Sequence, residues 1–340
     1  MVKEEIRIKR VIVHIMDGSV GLPVLSDEEA EISSDFSDFL KEHISRIMSG
    51  DDIKKCSFYK EQSEVYKMLS QYDEEFFVPI SRDMASHLYE IMNSNIDIPP
   101  ADLVIARFDH RDVPYLAILK MNYKTLFTHK TVKGEGGENA NGIIKHKTLL
   151  PAESQRLSEA AIVNLNTLEP YAIEKKYDVN GEKTNYFTYL FLKCSANVSE
   201  KQKLNVVCRS VESIQNSHFD ESRQYEENLR AKNIIHEELE ENGGFSVEKI
   251  ADRIFENEPV LKEAFKEKME KNDMVRETVS PQSEKTVKKY ETQVLKTDSG
   301  IEIKIPMKEY NDPGSVEFIT EDDGTVSVLI KNIDRIRARI

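Results

Sequence analysis

Residues 184–193 read Thr184-Asn185-Tyr186-Phe187-Thr188-Tyr189-Leu190-Phe191-Leu192-Lys193. From Tyr186 to Leu192 both alternating sets of positions are apolar or aromatic, with Thr188 the one polar break. A strand with two apolar faces belongs in the middle of a sheet, covered on both sides, so this run predicts a buried central strand. Just upstream stands Val179-Asn180-Gly181-Glu182. Asn-Gly accepts positive φ at both central positions of a tight hairpin, which makes residues 171–178 the antiparallel partner. Downstream, Ser199 with Gln202 three positions later marks a helix start. Leu204, Val207, Val211 and Ile214 follow at steps of 3, 4 and 3 and form one apolar stripe. No residue in this centre reads as catalytic.

Moving outward toward the N-terminus, residues 160–166 form a strand. Two clear strands, 102–108 and 113–121, flank the polar turn Asp109-His110-Arg111-Asp112. The chain then stays extended over residues 120–132 and enters a Gly/Asn/Glu loop, 133–141. Residues 6–16 are a β-branched first strand and 23–32 a second, shorter one. Helices are predicted over 33–48, 63–71 and 80–93, the first two opened by serines. After residue 216 the character changes. A charged helix, 219–241, stops at Asn242-Gly243-Gly244, and two more helices, 246–255 and 258–272, have helix–turn–helix spacing. Hairpins follow at 292–296/301–306 and at 315–320/325–331, the latter around Asp322-Asp323-Gly324. Strands joined by hairpins with helices gathered at intervals argue for an α+β fold. It is a mostly antiparallel sheet with flanking helices over residues 1–216, followed by a helical and β-hairpin C-terminal domain, 217–340.

A chain of 340 residues exceeds one typical core, and 39% apolar residues suffice to build two. No run of about 18 apolar residues is present, which argues against a membrane span. The charged start Met-Val-Lys-Glu-Glu runs straight into a strand pattern, unlike a signal peptide. Cys56, Cys194 and Cys208 are odd in number and widely spaced, which fits a reduced cytoplasmic setting rather than a disulfide or metal framework. Net charge is −14, so the molecule as a whole repels polyphosphate. The charge is uneven, however. Residues 120–150 hold six lysines against Glu135 and Glu138, net +4, whereas residues 220–241 hold eight acids against Arg223, Arg230 and Lys232, net −5.

Candidate chemistry is sparse. Glu174 and Lys176 form a Glu-x-Lys triplet of the kind that metal-dependent nucleases use, with Asp109 or Asp112 upstream as a further ligand, but such triplets recur by chance in a chain rich in both residues. Asp109-His110-Arg111-Asp112 matches a kinase catalytic loop only in letters, and a hairpin turn accounts for it. Gly134-Glu135-Gly136-Gly137 lacks the Gly-Lys-Ser/Thr ending of a phosphate loop. The eight histidines show no two-His helical pair of the zinc-protease kind. No catalytic residue, metal ligand or cofactor is therefore assigned. The feature that supports binding is Lys120, Lys124, Lys130, Lys133, Lys145 and Lys147, interleaved with Tyr123, Phe127, His129 and His146. Lysines contact phosphates without reading sequence, and aromatic rings stack on exposed bases. The basic tail, Arg335, Arg337 and Arg339, offers a second patch. Charge runs usually only face water, and that reading stands beside the binding one.

The order of features resembles the bacterial nucleoid-associated, NdpA-like family. The resemblance lies in Ile12-Val13-His14-Ile15, in Ala117-Ile118-Leu119-Lys120-Met121-Asn122, in Tyr186 through Lys193, and in the closing hairpin with its charged tail. It spans nearly the whole chain and rests on order and pattern rather than on a catalytic signature. It implies a cytoplasmic, nucleoid location, association with double-stranded DNA and DNA-processing proteins, and self-association as a homo-oligomer, a dimer. The expected function is therefore a non-enzymatic DNA-binding protein. The alternatives are an adaptor or scaffold whose acidic 220–241 helix docks a DNA-processing or defence protein, and, third, a metal-dependent nuclease.

Overall fold

The structure, a computed structural model, describes residues 1–17, 21–133, 138–321 and 325–335; the side chains of residues 147, 148, 221, 222 and 320 lie outside that description. By spatial contact the chain divides into two compact units, Met1–Asn197 and Val198–Ile340. The helix Glu200–His218, which the sequence reading kept with the sheet, packs with the second unit because its apolar stripe meets helices that follow it.

In the first unit the elements run β1 (Ile6–Met16), α1 (Ser34–Met48), β2 (Lys54–Phe58), α2 (Glu64–Ser70), α3 (Phe77–Asn93), β3 (Ala101–His110) and β4 (Val113–Asn122). Then come β5 (Lys124–Lys133), β6 (Asn139–Leu149), β7 (Glu159–Asn164), β8 (Pro170–Ile173), β9 (Tyr177–Val179), β10 (Glu182–Thr184) and β11 (Cys194–Ala196). The α+β class read from the sequence is the observed one. Seven strands form one antiparallel sheet in the order β1-β3-β4-β7-β8-β2-β11. Consecutive residues of its middle strands point to opposite faces, and both faces are covered. Val104, Ala106, Ala117, Leu119 and Ile162 pack with Leu40, Ile44 and Ile47 of α1. Ile105, Leu116, Ile118, Ala161 and Val163 pack with Met84, Ala85 and Leu88 of α3. The turn between β3 and β4 is closed by Arg111 and Asp112, both at positive φ (51° and 61°). The Arg111 guanidinium is held by Glu5, its Nε 2.7 Å from Oε2.

The run that opened the sequence reading is not a strand. Phe187–Leu192 is a single turn of π-helix ended by Lys193 in the left-handed region. Its buried positions, Phe187, Thr188, Phe191 and Leu192, recur with helical spacing, and Tyr189 between them is exposed. A short apolar run does not separate a buried strand from a buried helical turn by periodicity. Tertiary partners decide here: Thr188 is bound through backbone and hydroxyl by Glu174, and Ser63 Oγ donates to Leu192 O at 2.6 Å. The Asn180-Gly181 turn does form, both residues at positive φ (55° and 86°), but it joins the two-stranded ribbon β9–β10 outside the large sheet. The predicted strand at 23–32 is likewise absent. That segment follows the edge of β1 through an isolated bridge, Ile15–Val24, and the bond from Ala30 N to Val11 O.

In the second unit, α4 (Glu200–His218) begins with the predicted Ser199/Gln202 capping box, and α5 (Glu221–Asn242) ends at Gly243 in the left-handed region. After β12 (Phe245–Ser246) come α6 (Val247–Ile254), α7 (Pro259–Glu270), β13 (Thr278–Val279) and α8 (Glu284–Val287). These helices enclose a core that includes Leu204, Val211, Ile235, Ile250, Phe255 and Phe265. The hairpins β14 (Thr292–Lys296)–β15 (Glu302–Pro306) and β16 (Val316–Thr320)–β17 (Val326–Ile330), with α9 (Met307–Tyr310) between them, complete the unit. The turn residues Asp322-Asp323-Gly324 lie outside the described residues.

Candidate nucleic-acid interface

Strand β4 runs on into β5, and among the described residues β5 pairs only with β6. The result is a two-stranded ribbon separate from the large sheet. Every residue of β5 is exposed, as are residues 138–146 of the loop end and return strand. The sequence reading placed a loop over residues 133–141 and so missed the return strand. Lysines on both sides of a glycine-rich segment were the available signal. Gly134-Glu135-Gly136-Gly137 itself lies outside the described residues.

Cross-strand register sorts the ribbon's side chains, because directly paired residues share a face. One face carries Phe127 with Lys145, His129 with Ile143, Thr131 with Asn141, and Lys133 with Asn139. Thr131 Oγ1 donates to Asn141 Oδ1 at 2.8 Å. The other face carries Leu126 with His146, Thr128 with Ile144, Lys130 with Gly142, and Val132 with Ala140. Neither strand contains an acid, so Lys124, Lys130, Lys133, Lys145 and Lys147 are its only formal charges. Among the described residues no carboxylate lies in ion-pair range of Lys124, Lys130, Lys133 or Lys145, whereas most ion pairs of the unit tie up cations elsewhere, such as Arg10 with Glu29 and Arg107 with Glu74 and Asp109.

Lys120 leaves this set. It is 0% exposed, at the root of the ribbon. Its Nζ donates to Pro99 O at 2.9 Å and to Asn122 Oδ1, and lies 3.8 Å from Glu159 Oε2. Asn122 Nδ2 donates to the same carboxylate oxygen at 2.9 Å. Burial pushes the Lys120 ammonium down to about 8, against the pull of Glu159. A lysine so enclosed anchors the root of the ribbon and reaches no phosphate. Nearby, Tyr123 OH donates to Asp102 Oδ1 at 2.6 Å, and burial raises the Asp102 carboxyl above its usual range. Of the basic tail, Arg335 is exposed, while Arg337 and Arg339 lie outside the described residues, as does the side chain of Lys147.

The competing features are engaged in structure. Glu174 Oε1 accepts from Lys54 Nζ and Thr188 Oγ1, each at 2.9 Å, and Oε2 accepts from Thr188 N at 3.0 Å. With its side chain fully buried, Glu174 pins the π-turn instead of facing solvent beside Lys176. Among the described residues no group of three or more His, Cys, Asp or Glu could hold a metal ion. The acidic helix α5 is compensated at three of its acids: Glu227 pairs with Arg230, Glu237 with Arg253, and Glu238, itself buried, with Lys249 and Arg253. The second helix of the helix–turn–helix spacing, α7, has three lysines against three glutamates, without the cationic face of a DNA-reading helix.

The large antiparallel sheet thus carries a separate ribbon whose two strands hold five lysines and no acid. The chain belongs to the nucleoid-associated protein family: the family model NA37, described as nucleoid-associated protein YejK, matches residues 12–337, nearly the whole chain. No curated protein matches it. Among the described residues no helix is long and apolar enough to cross a membrane.

Proposed function

We propose that this chain is a non-enzymatic nucleoid-associated protein that holds duplex DNA through the β5–β6 ribbon. The observation that supports the reading is the ribbon's composition and setting. Two strands that together carry five lysines and no acid stand out of a chain of net charge −14. Exposed lysines placed along a two-stranded ribbon meet phosphates. The six-lysine contact expected from sequence becomes Lys124, Lys130, Lys133 and Lys145, without Lys120; the side chain of Lys147 lies outside the described residues. Arg335 is a further candidate.

The test is fluorescence anisotropy with a 30-base-pair duplex over a range of salt, comparing the parent with K124Q/K130Q/K133Q/K145Q. Each phosphate contact contributes a salt slope of roughly 0.9, so the variant's slope falls by about 3 to 4. Absence of binding at about 50 mM salt, or an unchanged slope in the variant, removes the ribbon from this role.

A further inference from the structure

Lysines alone do not explain the ribbon's first face. Phe127 and Ile143 are 74% and 72% exposed. They sit diagonally across the two strands, since Phe127 pairs with Lys145 and His129 pairs with Ile143. Diagonal neighbours lie within reach of an aromatic side chain, so the pair forms one small apolar knob. Lys145 stands beside it, Lys133 lies further along the same face, and the polar Thr131–Asn141 pair fills the interval.

Two occupants compete for such a face. A second copy of the chain would have to be held by area. A face ten residues long is about 33 Å by about 10 Å, or roughly 330 Å², against roughly 800 Å² per partner in a stable protein interface. DNA needs less area, because phosphate contacts supply the affinity, and the net positive charge of the two strands complements it. An apolar side chain flanked by cations on a groove-bound surface acts as a wedge: it enters a base step, partly unstacks it and kinks the duplex.

We infer that Phe127 and Ile143 form a wedge that enters a base step from the minor groove, so that the protein bends the DNA it holds. The inference rests on the proposed DNA contact, and the experiment separates the two. Ligase closes a 150-base-pair fragment, about one persistence length, with parent protein, with F127S/I143S, and with L126S from the opposite face. Anisotropy measures affinity and light scattering measures mass for each protein. The expected result is closure at least tenfold faster with the parent and with L126S. F127S/I143S, added at the concentration that anisotropy shows to saturate the fragment, closes it at the rate of free DNA. The wedge is overturned if the parent binds without accelerating closure, if F127S/I143S accelerates it equally, or if L126S abolishes the acceleration. It is also overturned if F127S/I143S halves the protein's mass, which would make the knob a contact between copies. If the parent does not bind DNA at about 50 mM salt, the DNA reading fails and the wedge with it.

Discussion

Replacing Lys120 by methionine separates an anchoring lysine from a DNA-contacting one. The structure puts the ammonium 3.8 Å from Glu159 Oε2, both side chains fully buried. With an effective dielectric of about 20, that separation corresponds to roughly 4 kcal/mol of attraction. Methionine fills much of the lysine's volume but leaves the Glu159 carboxylate without its cation, and Pro99 O and Asn122 without their donor. Breaking a buried pair from one side costs about 3–5 kcal/mol. In a unit of about 200 residues, that lowers the melting temperature by roughly 6–20 °C. K120M/E159Q, which removes both charges, recovers more than half of the loss, because no uncompensated ion remains. Circular dichroism melts of parent, both single variants and the double variant give the coupling directly. The pH dependence has a definite sign. Lys120 falls to about 8 in the fold, against 10.5 unfolded. The unfolded chain therefore holds more protons between these values, and stability rises with pH across that window by up to roughly 3 kcal/mol. This rise is missing from K120M. The DNA salt slope of K120M stays at the parent value. A K120M protein that melts within 2 °C of the parent, or one whose salt slope drops by about 1, refutes the assignment of Lys120 to the anchor.

Other perturbations follow from the same geometry. Lys124 and Leu149 are cross-strand partners, so replacing residues 125–148 by Asn-Gly closes the ribbon at its root with a two-residue turn. Melting temperature should stay within about 3 °C while duplex binding at about 100 mM salt is lost; retained binding would place the contact elsewhere. In the second unit, a Cβ on Gly244 would press on Val279 O and Ser280 Oγ and lie 2.9 Å from the Ser280 Cα. G244A should therefore cost about 1–3 kcal/mol, read as earlier unfolding in urea with duplex affinity per folded molecule unchanged.

Much of the fold was legible because local chemistry and burial agree there. Ser33 and Ser199 cap the helices they were expected to cap. The strand over residues 6–16 has the bounds that its β-branched residues mark. The two sheet strands 102–108 and 113–121 read as continuous apolar runs because both faces of the sheet are covered. The failures share a cause, in that non-local partners decided them. Tyr186–Leu192 is apolar whether it lies flat in a sheet or curls over it, and the deciding contacts come from Glu174 and Ser63. Lys120 looks like its neighbours in sequence, and only Glu159, 39 positions away, shows that it is an interior residue. The ribbon was half legible. Its first strand carries an alternating pattern, whereas its return strand begins Asn139-Ala140-Asn141-Gly142, a composition that turn chemistry claims more strongly than strand propensity does.

The acidic total charge first argued against DNA, and the ribbon's geometry changes the force of that argument. Net −14 with five ribbon lysines leaves −19 for the rest of the chain. Repulsion of that size acts on a phosphate only within a few screening lengths, and at physiological ionic strength one such length is about 8 Å. A ten-residue strand reaches about 33 Å, some four screening lengths from its root. Under the proposal, phosphates along the ribbon meet five strand lysines against Glu135 and Glu138 between the strands, a net charge of +3 over residues 124–149. On this reading acidity and DNA contact are complementary. On the proposed contact, the charge of the rest of the chain restricts where nucleic acid is held, and the absence of Asp and Glu from the two strands keeps that place open. The wedge needs the same arrangement, because a knob of two apolar side chains enters a base step only where cations on the same face already hold the backbone.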